Sequence, residues 1–193
     1  MKLLRLAGFG GALALFGLGL GGCLQEPTYS TTPQIDPDNV VVRRYTPTNP
    51  REQAIDTFRI TIRYQDGDGD LGLSSDERKV PPFDKGKFFN NYFIEPFILN
   101  RRTKQFEPLT VVGVPPGSTP YVAGSYNSAF QRPTALTDGK PAPIKGTLTY
   151  KQNIGLGDRF APGQAVRFEI SIADRALHVS NTIVTDTVRI ARR

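Results

Sequence analysis

Three aspartates at every second position give this sequence its clearest chemistry. Asp66, Asp68 and Asp70 lie in the segment DGDGDLG at 66–72, where alternating glycines let the backbone curl so that the carboxylates share one centre. Carboxylates this close repel one another unless a cation lies between them, and clusters of oxygen ligands suit Ca²⁺. We therefore predict a structural Ca²⁺ site. The alternative is a solvated turn, since Asp-Gly steps are common turn formers.

Two further acidic residues are candidate ligands for the same ion. Glu77 is residue 12 of an EF-hand count that starts at Asp66, but Leu71 replaces the glycine of the sharp turn, and a strand pattern precedes the loop. A true EF-hand is therefore excluded. Asp174 follows a second strand pattern, and loops after neighbouring strands of a sandwich can lie at one end. Asp174 either joins the ion site or caps its own turn.

The amino-terminal residues predict export and attachment to lipid. Two basic residues precede an apolar run over 6–20, which ends in Leu-Gly-Gly-Cys at 20–23. This order is typical of an export signal. The tetrad resembles the bacterial lipobox, which implies cleavage after Gly22 and acylation of Cys23. A membrane-spanning helix is the alternative, but the glycines of the run disfavour it.

The residue after the cysteine indicates where in the cell envelope the protein is located. Leu24 stands where Asp would indicate retention in the inner membrane, and resemblance to that sorting rule implies the outer membrane, with the face left open. Removal of residues 1–22 takes away Lys2 and Arg5 and lowers the formal net charge from +6 to +4. The remaining cations are dispersed, so nucleic-acid binding is not expected.

We expect the chain to divide into three parts. Residues 1–22 form the signal peptide. Residues 23–37 hold the lipidated Cys23 and a flexible tether, because three prolines and a Ser/Thr run occur there without an apolar period. Residues 38–193 form one domain.

Short alternating strands dominate that domain. Residues 57–65 place Phe58, Ile60, Ile62 and Tyr64 on one face, and 166–172 repeat the pattern, which predicts half-buried antiparallel strands. Further candidates are 40–45, 92–99, 105–112, 125–131, 144–150 and 182–190, with a hairpin turn at 100–104. No convincing helical period follows Cys23. We expect an all-β, antiparallel, two-sheet Ig-like sandwich, with a lipocalin-like barrel as the alternative.

The sequence offers little for catalysis. One Cys and one His exclude a Cys-rich zinc site, an iron–sulfur cluster and a multi-histidine metal centre. A Ser-His-Asp triad would have to use His178, and no Gly-x-Ser-x-Gly elbow is present. We therefore expect a protein that is not an enzyme.

Several of these features together resemble a known group. The lipobox, the tether, the strand entering DGDGDLG and the segment 174–181 resemble small bacterial lipoproteins with one Ig-like or cadherin-like sandwich. Segment 174–181 is similar to the Asp-x-Ala-x-Asn-x-Ser-Asn that ends many such repeats, with His178 where Asn is frequent. The resemblance implies the fold and the location.

Two functions fit these expectations. The first is a lipid-anchored, Ca²⁺-stabilised envelope module that acts in protein interaction or adhesion. The alternative is a glycan-binding module of an envelope polysaccharide-uptake system, in which exposed rings stack on sugars. Tyr121 and Tyr126, in the Gly/Pro-rich loop 113–128, are its candidate rings, together with Phe88, Phe89 and Tyr92.

Overall fold

A computed structural model describes residues 27–49, 51–52, 54–133, 140–155 and 159–191. The predicted signal peptide and Cys23 lie outside the described residues. Over the described part the chain is all-β, with 42% of residues in strands and two antiparallel sheets packed together. The predicted two-sheet sandwich is therefore confirmed. No helix in these residues is long and apolar enough to cross a membrane.

Eight strands and three short helical turns make up the described fold. The strands are β1 (Gln34–Tyr45), β2 (Ile55–Asp66), β3 (Tyr92–Leu99), β4 (Phe106–Pro108), β5 (Ile144–Gly155), β6 (Ala165–Ile172), β7 (Ile183–Val184) and β8 (Val188–Arg189). One α-helical turn, α1, covers Leu109–Val112, and 3₁₀ turns cover Glu77–Lys79 and Lys87–Phe89.

The first sheet has the order β1-β2-β5, and each of its strands is 12 residues long. The second sheet has the order β4-β3-β6-β7, with β8 also paired to β6. All of these pairings are antiparallel. β2 and β6 carry the two strongest alternating patterns in the sequence. Each is a central strand of its sheet, with hydrogen-bonded neighbours on both sides.

The core lies between the sheets and is built from the inward rows of these strands. Phe58 of β2 contacts Phe160 and Phe168, with ring centroids 5.6 and 5.4 Å apart. Tyr92 of β3 stacks on Tyr150 of β5 with centroids 5.2 Å apart, which joins the two sheets. These aromatic contacts add geometric specificity to the apolar area buried between the layers.

Three predicted strands are shorter or broken in the structure, whereas β5 continues five residues beyond the predicted 144–150. The 105–112 candidate is a strand only to Pro108, which lacks an N–H for the ladder, and the chain then turns into α1 and buries Leu109. The 125–131 candidate makes one bridge, Ser128 to Tyr92, because side chains such as Asn127 bond β3 in place of a ladder. The 182–190 candidate is broken into β7 and β8.

The predicted boundary between tether and domain is also wrong. β1 begins at Gln34, inside the segment expected to be flexible, and Ile35 is 2% exposed. The Asn181 amide bonds both the N–H and the C=O of Ile35 at 2.9 Å. The side chain of Asn181, far away in the sequence, thus holds Ile35 at the start of β1. The composition of residues 23–37 does not indicate this contact.

The aromatic centre of the core should govern stability. We expect Phe58→Ala to lower the free energy of unfolding by about 3–5 kcal/mol, because it removes a ring that is 1% exposed and leaves a cavity. Val122→Ala, at a side chain that is 67% exposed, should change it by less than about 0.5 kcal/mol. Urea unfolding of both variants measures this, and equal losses would contradict the assigned core.

Candidate metal site

The alternation of β2 buries a carboxylate at each end of the strand. Asp56 and Asp66 have the same parity as Phe58, Ile60 and Ile62, so both point toward the core. Asp56 is 3% exposed and Asp66 is 0% exposed. Burial of an ionised carboxylate is costly unless the charge is paired or binds a metal.

The two buried carboxylates differ in their bonding partners. Asp56 receives a two-pronged ion pair from Arg44, whose Nε and Nη2 each lie 2.8 Å from one carboxylate oxygen. Asp66 has no such partner among the described residues. Its Oδ2 accepts the Asp70 N–H at 3.0 Å, while its Oδ1 is buried and accepts no hydrogen bond from the described residues. One end of β2 is thus neutralised by the protein itself, and the other is not.

Asp68 and Asp70 each add a further carboxylate oxygen without a partner in the described part of the chain, which makes three with Asp66. In each of them Oδ1 is likewise buried and without a hydrogen-bond partner among the described residues. One carboxylate oxygen from each of Asp66, Asp68 and Asp70 lies within 4.8 Å of the other two. The structure therefore brings together the three predicted aspartates, and their cluster could hold a metal ion.

The pKa values show the electrostatic cost of the cluster without a cation. Burial, together with the negative charges of the neighbouring Asp68 and Asp70, raises the pKa of Asp66 to about 7. Burial also raises the pKa of Asp70, with Asp174 and Asp68 adding to the shift. The ion-free cluster consequently resists full ionisation.

Three other segments hold the loop in place. The Gly67 N–H donates to Ser30 O at 2.8 Å, and the Ala142 N–H donates to Asp68 O at 3.2 Å. The carbonyl of Asp70 accepts from Arg175 N, and its Oδ2 accepts from Ala176 N at 3.0 Å. Bonds to distant parts of the chain fix the backbone before any ion binds, which is the arrangement expected of a preorganised site.

Two glycines are required for this packing. A Cβ on Gly67 would lie 2.9 Å from the carbonyl carbon and oxygen of Ser30. Gly72 has φ +81, and a Cβ there would lie 2.6 Å from the backbone of Arg132. The glycines of DGDGDLG therefore let neighbouring backbone approach the loop, in addition to letting it curl.

Asp174 lies beside the cluster but is not a member of it. A bridge between Leu71 and Asp174 joins the two loops, so Asp174 raises the pKa of Asp70. Its own oxygens are occupied, since Oδ1 accepts the His178 N–H at 2.7 Å and Oδ2 contacts His178 Nδ1 at 2.9 Å. Asp174 therefore caps its own turn, as in the second of the two predicted roles. Its hydrogen bond to the imidazole raises the pKa of His178.

Glu77 is also outside the cluster. Its carboxylate accepts the Ser74 N–H at 2.7 Å and pairs with Arg132, with Arg175 at 3.7 Å. Burial alone would raise its pKa, but the bonds from Ser74 and Arg132 lower it overall. The Ser74 hydroxyl in turn accepts the Glu77 N–H, which makes a capping box. The Ser-x-x-Glu spacing was the sequence signal for this role.

The predicted sugar-stacking tyrosines are not free rings. Tyr126 is 7% exposed and belongs to the core. Tyr121 packs against it with centroids 5.3 Å apart, and the Tyr121 hydroxyl donates to Glu95 at 2.7 Å. Tyr92 is 2% exposed, and Phe89 lies under the Arg78 guanidinium. The expectation that Tyr121 and Tyr126 are exposed is wrong, because the loop that carries them folds onto the core.

Comparison with known proteins does not identify the chain. No family model matches it, and no curated protein matches it. A solved structure, the X-ray structure of Northeast Structural Genomics Consortium target SoR45, aligns over 83% of this chain and 86% of that chain. The identity is 8% and the TM-score 0.28, values that carry no argument about function.

The raised pKa of Asp66 predicts an unusual pH dependence for the ion-free protein. Asp66 binds its proton more tightly in the folded state than in the unfolded chain, where a carboxyl pKa is about 3.9. This contribution to stability is complete below about pH 4 and is lost as the pH rises through about 7. Thermal melting in chelator from pH 4.5 to 8 should show the loss.

Asp66→Asn is the matched control for that experiment. The amide has the shape of the carboxyl group without its charge, so the melting temperature in chelator should be higher than that of the unaltered protein at pH 8, and its decline over this pH range should be smaller. A variant that melts lower at pH 8 and keeps the same slope would show that Asp66 carries no excess charge cost.

Proposed function

We propose that this chain is a lipid-anchored, non-catalytic module of the cell envelope whose sandwich is stabilised by Ca²⁺ held between Asp66, Asp68 and Asp70. One observation carries the ion assignment. Three carboxylate oxygens are buried together without a hydrogen-bond donor among the described residues, while Asp56 on the same strand has its own arginine. A bound cation would give the three aspartates the positive partner that Arg44 gives Asp56.

The donor set favours Ca²⁺ over other metals. All three side chains offer carboxylate oxygens, whereas zinc and copper sites use sulfur or imidazole nitrogen. Mg²⁺ requires near-ideal octahedral geometry and usually keeps several waters, so it is bound by one or two carboxylates. Ca²⁺ accepts irregular oxygen cages, and three carboxylates fit it best.

The anchor and the ion site would lie at the same end of the molecule. Cys23 is the proposed lipid attachment, and Ser30 is already bonded to Gly67 of the aspartate loop. From Cys23 to Tyr29 the chain can extend at most about 20 Å. The domain would therefore sit close to the membrane with its aspartate loop nearest the lipid, instead of far from it on a tether of 15 residues.

The bonds around the chain's one imidazole support a non-catalytic role. His178 Nδ1 is bound to Asp174, as in a triad, but no described hydroxyl completes the arrangement at His178. Ser180, the nearest serine in the chain, donates to Asn181 O and accepts the Ile172 N–H, so its hydroxyl is used structurally. Interaction or adhesion is the role we propose, and Tyr121 and Tyr126 offer no support for the glycan alternative.

Calcium should raise the melting temperature of the full chain. Extracellular sites often have a Kd of about 10⁻⁴–10⁻³ M, so millimolar Ca²⁺ would stabilise the fold by about 1–2 kcal/mol. For a domain of this size that is roughly 2–8 °C. Calorimetry in mild detergent with Ca²⁺, with Mg²⁺ and with chelator measures the shift, and we expect Ca²⁺ to give the largest.

Asp68→Asn should abolish the Ca²⁺ shift, since it removes one of the three charged oxygens. Asp76→Asn is the matched control, because Asp76 is exposed and its ion pair is with Lys79 at the surface. The proposal fails if the unaltered chain shows no shift at several millimolar Ca²⁺, or if both variants respond alike.

The lipid anchor is tested separately. The full chain expressed in a bacterium that processes lipoproteins should lose residues 1–22, gain the mass of attached acyl groups and partition with detergent. Cys23→Ser should remain unprocessed, because the acylated thiol is absent. Mass spectrometry measures both, and an acyl-free chain cleaved at another position would contradict the anchor without affecting the ion site.

A further inference from the structure

The outward face of the sheet β1-β2-β5 carries unpaired cations at the end remote from the aspartate loop. Arg59 of β2 stands in register between Val41 of β1 and Lys151 of β5, and Arg43 stands in the next row beside Thr57. Arg43, Arg59 and Lys151 are all exposed. No carboxylate of the described residues forms an ion pair with any of the three.

Arg59 and Lys151 form an unfavourable pair within this face. Like charges directly opposite one another on neighbouring antiparallel strands are destabilising. The other arginines of the same sheet that have nearby acids are neutralised, since Arg63 bonds Asp38 at 2.8 Å and Arg44 bonds Asp56. The pair of like charges does not stabilise the fold. Binding of an anion from outside the chain would explain why both cations are present on this face.

An exposed aromatic ring lies beside these cations. Tyr45 ends β1 on the same face as Arg43, in register with Ile55 and Gly155, and it is 60% exposed. In the row between, the Thr57 hydroxyl donates to Asn153 Oδ1 at 2.8 Å. The amide nitrogen of Asn153 bonds none of the described residues and remains a free donor. An aromatic plane, an amide donor and three cations thus occupy three consecutive rows.

We propose that this face, formed by Tyr45, Arg43, Asn153, Arg59 and Lys151, binds an acidic polysaccharide, a chain of sugars that carries carboxylate groups. Three rows along the strands and three strands across make a patch of about 14 by 10 Å. The tyrosine ring offers an apolar face with a polar edge, the arginines match carboxylates in two-pronged geometry, and the amide suits hydroxyl groups. The bound chain would neutralise the repulsion between Arg59 and Lys151.

The position of the patch distinguishes this ligand from a lipid surface. β2 runs from Ile55, beside the patch, to Asp66, so its ends lie about 37 Å apart. A chain anchored at Cys23 would hold its aspartate loop near the membrane and the patch away from it. The exclusion of a lipid surface rests on the proposed anchor, whereas binding at the patch itself needs neither the ion nor the anchor. The patch extends the proposed function by supplying an adhesion ligand.

Calorimetric titration of the full chain with oligogalacturonate tests the proposal. A malto-oligosaccharide of equal length, inorganic polyphosphate and phosphatidylglycerol vesicles serve as comparisons. We expect oligogalacturonate to bind and the neutral sugar not to bind. Arg59→Gln and Tyr45→Ala should each raise the Kd by about tenfold, because one removes a charged donor and the other the ring. Arg63→Gln, whose charge is already paired on the same face, should change it by less than about twofold.

Three results would overturn the proposal. They are no binding of oligogalacturonate, binding that Tyr45→Ala leaves unchanged, and tighter binding to polyphosphate or vesicles than to the acidic sugar. The melting temperature of each variant checks folding, and Arg59→Gln should not lower it, since the substitution relieves a like-charge contact. Asp68→Asn should bind the sugar as the unaltered chain does, which separates failure of this site from failure of the ion site.

Discussion

The burial of Asp66 at the end of β2 is the constraint on which the aspartate loop depends. Strand periodicity places this carboxylate in the same inward row as Phe58 and Ile62, and the cost of a buried charge must be met by a partner. At the other end of the strand Arg44 is that partner for Asp56. At the loop end, two more carboxylates lie beside Asp66, so the charge imbalance increases, and burial raises the pKa of Asp66 to about 7. A divalent cation would offset most of this negative charge.

The same loop connects the two layers of the sandwich. It leaves β2 in the first sheet, and Leu71 pairs with Asp174, which follows β6 in the second sheet. Backbone bonds from Ser30, Ala142 and Arg175 reach it as well. An ion at the aspartates would therefore restrain segments that are far apart in sequence, which is how a weak site can contribute to the stability of a whole domain. The outward face at the opposite end of β2 carries the opposite charge, so the two ends suit different partners.

The residues that sequence reasoning assigned incorrectly share one property. Glu77 fits an EF-hand count, but a capping box with Ser74 and an ion pair with the distant Arg132 direct its carboxylate elsewhere. Tyr121 and Tyr126 lie in a Gly- and Pro-rich loop typical of exposed segments, yet they pack on the core. In both cases the deciding contacts come from residues that no local pattern links to them. Ile35 joined the first sheet for the same reason.

The sequence by itself determined what depends on near neighbours. Alternation predicted the central strands β2 and β6. The DGDGD spacing brought three carboxylates together, because a curled loop of five residues leaves them little room to separate. Only the tertiary structure decided which charges have partners. Asp56 and Asp66 occupy equivalent positions in one strand pattern, and the difference between them is the arginine that β1 brings to one and not to the other. Arg59 and Lys151, far apart in the chain, likewise face each other only through strand register. Charge compensation is a long-range property, so it depends on the fold and not on local spacing.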